Sequence, residues 1–196
     1  MTSVSALNYI HKPGLFGNHE NKNEKNLLKV SEIKNLLIVH IVQYKNSKIL
    51  FGDLNIDNLN LKNEPLTVVS NNNTRILWNG PNNWLLVSTK KDLLKNISEV
   101  LKETDFAITD LSHSRAIIEI EGQEIKEVLK KGCPFNFNIL KKNNSINSSF
   151  NGLAFTVDMT DDNPNRIRLF ALRSFGESLC HSITDASLEF GFQAID

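Results

Sequence analysis

Residues 74–88 read TRILWNGPNNWLLVS, and residues 91–103 read KDLLKNISEVLKE. The first stretch holds two strand-like runs, 74–78 and 84–88, on either side of a turn that contains a Gly-Pro pair. The second stretch has apolar residues at helical spacing, namely Leu94, Ile97, Val100 and Leu101. Two strands joined by a turn and followed by a helix form a strand-strand-helix unit, and this unit decides the fold prediction.

The same order of elements occurs twice more along the chain. It is predicted for residues 106–111, 115–121 and 124–131, and again for residues 153–159, 166–172 and about 174–190. Strands joined by turns pair antiparallel, and helices cover one face of the sheet to bury their apolar stripes. The sequence therefore predicts an α+β fold of antiparallel sheets built from repeated strand-strand-helix units.

The first part of the chain divides into two regions. Residues 1–30 lack periodicity and include a polar stretch over 18–26, which predicts an irregular N-terminal arm. The apolar run 36–42 predicts a buried strand, and residues 48–54 predict a second strand. We therefore expect an arm over 1–30 and a single α+β domain over 31–196.

Composition excludes several classes of protein. Lys plus Arg and Asp plus Glu both number 22, so the net charge is zero and the basic excess of a nucleic-acid binder is missing. The longest apolar run is far shorter than the ~20 residues that cross a bilayer, and the chain does not open with a secretory signal pattern. Two cysteines without a C-x-x-C spacing fit a reduced setting. We expect a cytoplasmic protein with neither nucleic-acid nor membrane partners.

The stretch DLSHSR at 110–115 contains the residue types of a hydrolase triad. In an extended strand His113 would face away from Asp110 and Ser112, so a base-to-nucleophile hydrogen bond could not form. In a turn, the serine hydroxyls would cap the backbone instead. No glycine-rich phosphate motif and no helical histidine pair is present in the sequence. We expect no catalytic residue, no cofactor-binding residue and no metal ligand, and a structural or interface role for this segment.

Several short stretches, taken in order, resemble the gamma subunit family of heterotetrameric sarcosine oxidase. They are KPGLFG at 12–17, WNGPNNWL at 78–85, DLSHSR at 110–115, LKKGCP at 129–134 and RSF at 173–175. Each is weak alone, but the ordered set spans residues 12 to about 190. One departure is Asn136, which stands where the family usually has an acidic residue.

The resemblance implies a fold similar to the folate-binding part of aminomethyltransferases and of the tRNA-modification GTPase family. It implies a complex of alpha, beta, gamma and delta subunits that oxidises sarcosine to glycine with O2 and passes the one-carbon unit to tetrahydrofolate or releases formaldehyde. In that complex FAD, FMN, NAD, zinc and tetrahydrofolate are implied for the other subunits. The gamma subunit is expected to bind no cofactor, to be non-catalytic and to pack chiefly on alpha.

Two alternatives stay open. The chain could be the equivalent subunit of a related enzyme such as N-methylglutamate dehydrogenase, because the substrate is chosen in another subunit. It could also be a stand-alone folate-binding protein for one-carbon transfer, with Asp110 as the carboxylate that holds the pterin ring. For the subunit reading, Arg and Trp side chains anchor interfaces most often. The predicted interface residues are Trp84, His113, Arg115 and Arg173.

Overall fold

The protein is described by a computed structural model that covers residues 5–20 and 22–196. The strands within these residues are β1 (Gly14–Phe16), β2 (Leu28–Glu32), β3 (Leu37–Gln43), β4 (Asn55–Ile56), β5 (Leu59–Asn60), β6 (Val68–Ser70), β7 (Thr74–Gly80), β8 (Asn83–Ser88), β9 (Phe106–Asp110), β10 (Arg115–Glu121), β11 (Ser145–Phe150), β12 (Leu153–Asp162), β13 (Asn165–Leu172) and β14 (Phe192–Ala194). The α-helices are α1 (Leu93–Val100), α2 (Ile125–Lys130) and α3 (Gly176–Ser187). Short 3₁₀ turns lie at Glu24–Asn26, Phe51–Asp53, Phe137–Ile139 and Arg173–Phe175.

The residues form two compact units. One unit contains the described residues up to 34 together with residues 114–142 and 147–196, and the other contains residues 35–113 and 143–146. The three helices that the sequence predicts are confirmed, each a few residues shorter than expected. In α1, for example, Leu101 has extended backbone angles, which ends the helix before the predicted end at residue 103.

The first unit is built around a sheet of seven strands in the order β1-β14-β2-β10-β13-β12-β11. Within it β10 pairs antiparallel with β2 and with β13, and β12 pairs antiparallel with β13. Helices α2 and α3 pack on β13, and α3 also packs on β10. The predicted α+β class is confirmed. One parallel pair, β14 with β2, is added to the antiparallel pairs that the sequence predicts.

The second unit holds a sheet of five antiparallel strands in the order β6-β7-β8-β3-β9. The predicted hairpin over 74–88 is confirmed as β7 and β8, with a register shift between Trp78 and Gly80. Helix α1 buries Leu93 and Ile97 in the core of this unit. Trp84, Phe106 and the apolar side chains of β3 complete that core.

The strands before and after DLSHSR do not form the hairpin that the repeat predicts. Strand β9 pairs with β3, whereas β10 pairs with β2 and β13, so the two strands lie in different sheets. Backbone bonding explains the difference. After β9 the Leu111 N–H donates to the Ile38 carbonyl at 2.8 Å, which extends the pairing with β3 instead of closing a turn onto β10.

The predicted strand over 48–54 is wrong. These residues form the 3₁₀ turn Phe51–Asp53, and Leu50 is 69% exposed. The Gln43 side chain donates to the Ile49 carbonyl at 2.6 Å, so a side chain occupies a backbone acceptor that a strand would use for its ladder.

Seven further strands of the described residues lie where no strand is predicted. The region expected to be an irregular arm contains β1 and the start of β2, and the other five are β4, β5, β6, β11 and β14. Strand β1 has all three of its residues exposed, yet it pairs with β14 through its backbone. None of the helices in the described part of the chain has both the length and the apolar character needed to cross a bilayer.

Candidate functional site

The DLSHSR segment begins as the predicted capped turn. Asp110 ends β9, and its Oδ1 accepts from the backbone N–H of Ser112 at 2.8 Å and from the Ser112 hydroxyl at 2.5 Å. The Ser112 hydroxyl oxygen in turn accepts from the Ile38 N–H at 3.0 Å. The bonds from Ser112 hold the pKa of Asp110 below its usual value, and the charge of His113 acts in the same direction. The Ser112 proton therefore points to the Asp110 carboxylate and not to the His113 ring.

Trp84 lies in the core of the five-stranded unit. Its side chain is 1% exposed, and its Nε1 donates to the Lys62 carbonyl at 2.7 Å. A partner could reach this indole only after local unfolding. The signal for burial was present in the sequence, since Trp84 begins the apolar run Trp84–Val87 within a strand.

The other three predicted interface residues are accessible. His113 is exposed in the five-stranded unit, whereas Arg115 and Arg173 are half-buried in the seven-stranded unit. The Arg173 N–H donates to the Ser114 carbonyl at 2.8 Å, which holds the 3₁₀ turn Arg173–Phe175 beside the start of β10. The fold thus brings Arg115 and Arg173 to one end of the β10–β13 pair.

One face of β10 and β13 carries a ladder of charged pairs. Glu121 lies opposite Arg166 and Glu119 lies opposite Arg168, because the two strands pair antiparallel in this register. The Arg166 Nε donates to Glu121 at 2.8 Å, and the Arg168 Nε donates to Glu119 at 2.7 Å. Lys29 on β2 adds a third contact to Glu121 at 3.2 Å. Although burial acts to raise the pKa of Glu121, the bonds from Arg166 and Lys29 hold it below its usual value.

Arg115 occupies the same face of β10 at the other end of this ladder. Side chains two apart in a strand share a face, so Arg115 lies on the same face as Ile117, Glu119 and Glu121. Its cross-strand partner is Leu172 and not an acid. Burial lowers the pKa of the Arg115 guanidinium, and no acidic side chain among residues 5–20 and 22–196 compensates for it.

Exposed apolar side chains accompany this arginine. Leu172 and Phe175 are each 44% exposed, and Ser174 between them is exposed as well. We name Arg115, Leu172, Ser174 and Phe175 the Arg115 surface. It combines an unmatched cation with apolar area, which is the composition of an interface anchor.

Two grooves lie elsewhere, one in each unit. A groove of about 560 Å³ runs beside β9 in the five-stranded unit. Its lining includes Tyr44, Leu94, Ile108, Glu103 and Asp110. Asp110 is the carboxylate that the sequence analysis considers for a folate site, and the groove gives it an aromatic and aliphatic neighbourhood.

The groove of the seven-stranded unit has a volume of about 470 Å³ and lies along α3. Phe16 and Phe192 stack in its lining with ring centroids 5.1 Å apart. Cys180 also lines it, and burial raises the pKa of this thiol to about 11. The thiol is therefore protonated at neutral pH and is a poor nucleophile.

Metal-ligating side chains do not cluster in the part of the chain that the structure describes. Within residues 5–20 and 22–196, no three His, Cys, Asp or Glu side chains lie close enough together to hold a metal ion.

Comparisons with known proteins agree with the fold. The glycine cleavage system aminomethyltransferase T from Bartonella henselae superimposes with a TM-score of 0.58 at 11% identity, over 80% of this chain and 45% of that one. A chain of the heterotetrameric sarcosine oxidase from Corynebacterium sp. U-96, solved in complex with pyrrole 2-carboxylate, superimposes with a TM-score of 0.76 at 23% identity, over 86% of this chain and 87% of that one. At these identities the likeness shows the shared fold, which resembles the aminomethyltransferase fold as predicted.

Sequence comparison gives the family. The sarcosine oxidase subunit gamma of Corynebacterium sp. (strain U-96) is 30% identical over 120 residues, which are 60% of this chain. The match spans 58% of the length of that relative. The model of the family described as "Sarcosine oxidase, gamma subunit family" matches residues 56–189, well over half of the chain. The chain therefore belongs to the sarcosine oxidase gamma subunit family.

Proposed function

We propose that this chain is the non-catalytic gamma subunit of a heterotetrameric sarcosine oxidase and packs chiefly against the large alpha subunit, beside beta and delta. The family match over residues 56–189 carries this proposal. In this role the chain contributes binding surface in a cytoplasmic complex. The other subunits hold FAD, FMN, NAD, zinc and tetrahydrofolate and oxidise sarcosine to glycine.

The bonding of the reactive-looking side chains supports a non-catalytic role. The Ser112 hydroxyl is committed to Asp110 and to the Ile38 N–H, so it serves the turn. The Cys180 thiol is held in its protonated form by burial. The Ser112 proton is directed to the carboxylate of its own turn and not to a histidine, and the Cys180 thiol is not activated as a thiolate.

Co-expression with the three other subunits tests the proposal. We expect the four chains to elute together in size-exclusion chromatography, and we expect the complex to consume oxygen when sarcosine is added. The isolated chain should neither consume oxygen nor retain a flavin. An isolated chain that oxidises sarcosine, or that purifies with its own flavin, would contradict the proposal.

The substrate of the complex is tested in the same preparation. Parallel assays with sarcosine and with N-methylglutamate compare kcat/KM for the two amines. Since substrate choice belongs to another subunit, exchanging this chain for a related gamma subunit should leave the ratio of the two values unchanged. A ratio that follows this chain would assign it a part in substrate selection.

A second candidate function, folate binding by this chain itself, is favoured by the groove beside β9. That groove joins the Asp110 carboxylate with Tyr44 and Ile108, and a pterin ring needs a carboxylate next to an aromatic or apolar slot. Calorimetric titration of the isolated chain with tetrahydrofolate tests it. Micromolar affinity that is lost in Asp110→Asn and kept in Glu64→Gln, an exposed carboxylate outside the groove, would support this candidate. No heat of binding with the unaltered chain would exclude it.

A further inference from the structure

Arg115 is an exception to the pairing of opposite charges across β10 and β13. All five arginines of the sequence lie within the described residues. Arg166 and Arg168 each bond a glutamate directly across the strand pair, and Arg75 and Arg173 also have interaction partners. Arg115 forms no ion pair with any residue in 5–20 and 22–196, although it lies on the same face of β10 as Glu119 and Glu121.

A half-buried arginine without a counter-charge is costly for an isolated chain. The guanidinium gives up part of its hydration, and no carboxylate among the described residues compensates for that loss. Burial disfavours the charged form of Arg115 and so lowers the pKa of its guanidinium. A carboxylate supplied by another molecule would recover the lost interaction as a charge-assisted, bidentate pair.

The apolar neighbours of Arg115 indicate the kind of molecule that supplies the carboxylate. Leu172 lies directly across from Arg115, and Phe175 follows in the 3₁₀ turn that packs on β10. Both side chains are nearly half exposed, so a free inorganic anion would pair with Arg115 and leave this apolar area in water. A protein segment in which an acidic residue is flanked by apolar side chains would satisfy both features at once.

The surface is also held in place before any partner arrives. The bond from the Arg173 N–H to the Ser114 carbonyl fixes the turn against the strand, and the β10–β13 ladder fixes Leu172 across from Arg115. A preformed surface loses little conformational entropy when it binds.

We propose that the Arg115 surface is a docking site of this chain for the large alpha subunit, and that alpha contributes one Asp or Glu side chain, flanked by apolar residues, which pairs with the Arg115 guanidinium. This inference rests on the proposed function, since it names the contact chemistry of the same complex. Arg115 is then the anchor of the contact, and Leu172 and Phe175 exclude water from around the charge pair.

Measurements of the affinity between the full chain and the alpha subunit test this inference. The alpha subunit is immobilised, and binding of the full chain is compared with binding of Arg115→Met and Arg166→Met. Both variants lose one cation from the same strand pair, but the Arg166 charge is already neutralised by Glu121. We expect Arg115→Met to bind at least about thirtyfold more weakly, since an interfacial charge pair is broken, and Arg166→Met to bind within about threefold of the unaltered chain. Thermal melting of each variant checks that it is folded.

A crosslinking experiment gives a second readout. The Arg115→Lys variant keeps a cation at this position and introduces an amine that a carbodiimide can join to a contacting carboxylate. We expect an amide between this amine and one Asp or Glu of alpha, identified by mass spectrometry. No such crosslink from a variant that still binds alpha would contradict the inference.

The two proposals fail in distinguishable ways. If the unaltered chain does not bind alpha, the proposed function is overturned and the docking site with it. If the unaltered chain binds alpha and Arg115→Met binds equally well, only the docking site is overturned. If Arg115→Met loses its fold, the loss is identified by melting, and the Arg115→Lys crosslink then decides between the two outcomes.

Discussion

Gly176, the first residue of α3, lies directly against Ala116 of β10. A Cβ placed on Gly176 would lie 2.7 Å from the Cβ of Ala116, which is closer than real Cβ atoms approach each other. The contact explains how the helix sits so near the sheet, because glycine lacks the atom that would separate them. Gly176 has ordinary helical backbone angles, so its requirement is spatial and not conformational.

We expect Gly176→Ala to destabilise the chain. The added methyl group gains about 1 kcal/mol of helix propensity, but forcing α3 away from the sheet costs about 1–3 kcal/mol. Chemical denaturation should therefore show a net loss of up to about 2 kcal/mol in the free energy of unfolding. The double variant Gly176→Ala, Ala116→Gly removes the opposing methyl group and should recover much of that loss. Purely additive effects of the two changes would contradict the contact.

Trp84 should behave as a core residue. Replacing Trp84 with Ala removes a fully buried indole and should lower the free energy of unfolding of the isolated chain by about 3–5 kcal/mol. Trp84→Phe keeps most of the apolar volume but leaves the Lys62 carbonyl without its donor, so its cost should be smaller, about 1–3 kcal/mol. Urea denaturation followed by circular dichroism measures both. A Trp84→Ala chain of unaltered stability that fails to join the complex would instead make this residue an interface anchor.

The Cys180 thiol should make stability depend on alkaline pH. Its pKa is about 11 in the folded chain, above the usual value of 9.0, because burial disfavours the thiolate. A group whose folded pKa is raised stabilises the fold below its unfolded pKa, and that contribution is lost as pH rises towards the folded pKa. Between pH 9 and 11 we expect a decline of up to about 1.4 kcal/mol per pH unit from this residue. Denaturation of the unaltered chain and of Cys180→Ala across this range isolates the effect, and parallel curves for the two proteins would contradict it.

Asp110 should stabilise its turn only when ionised. Bonds from Ser112 lower the folded pKa of this carboxyl below its usual value of 3.8. A depressed pKa stabilises the fold above the unfolded pKa, and that contribution disappears as pH falls through the folded pKa. Asp110→Asn keeps the shape and removes the charge, and because solvent screens this exposed carboxylate it should cost at most about 1 kcal/mol at pH 7. The difference between the two proteins should vanish at strongly acidic pH, and NMR titration of the carboxyl carbon measures the folded pKa directly. An Asp110 pKa at or above 3.8 would show that the Ser112 bonds do not persist in solution.

The sequence determined the elements that depend on local pattern. The three helices were predictable because their apolar residues recur at a period that only a helix places on one face, as with Ile97 in α1 and Leu101 at its end, which are both buried. The β7–β8 hairpin was predictable because its turn residues and flanking apolar runs lie within fifteen residues of each other. The family was predictable because its motifs depend on residue identity and order, which the chain displays directly.

Tertiary structure decided every feature that depends on distant residues meeting. Strand β14 pairs with β2 although more than 150 residues separate them, and β9 and β10 join different sheets although they are neighbours in the chain. The same holds for the proposed docking site. The DLSHSR motif draws attention to Arg115, but the sequence does not show that Arg115 lacks a cross-strand acid while Arg166 and Arg168 have one, since all three precede or lie within apolar strands. Only the register of β10 against β13 places glutamates opposite two of them and Leu172 opposite the third, because cross-strand neighbours are fixed by pairing and not by position along the chain.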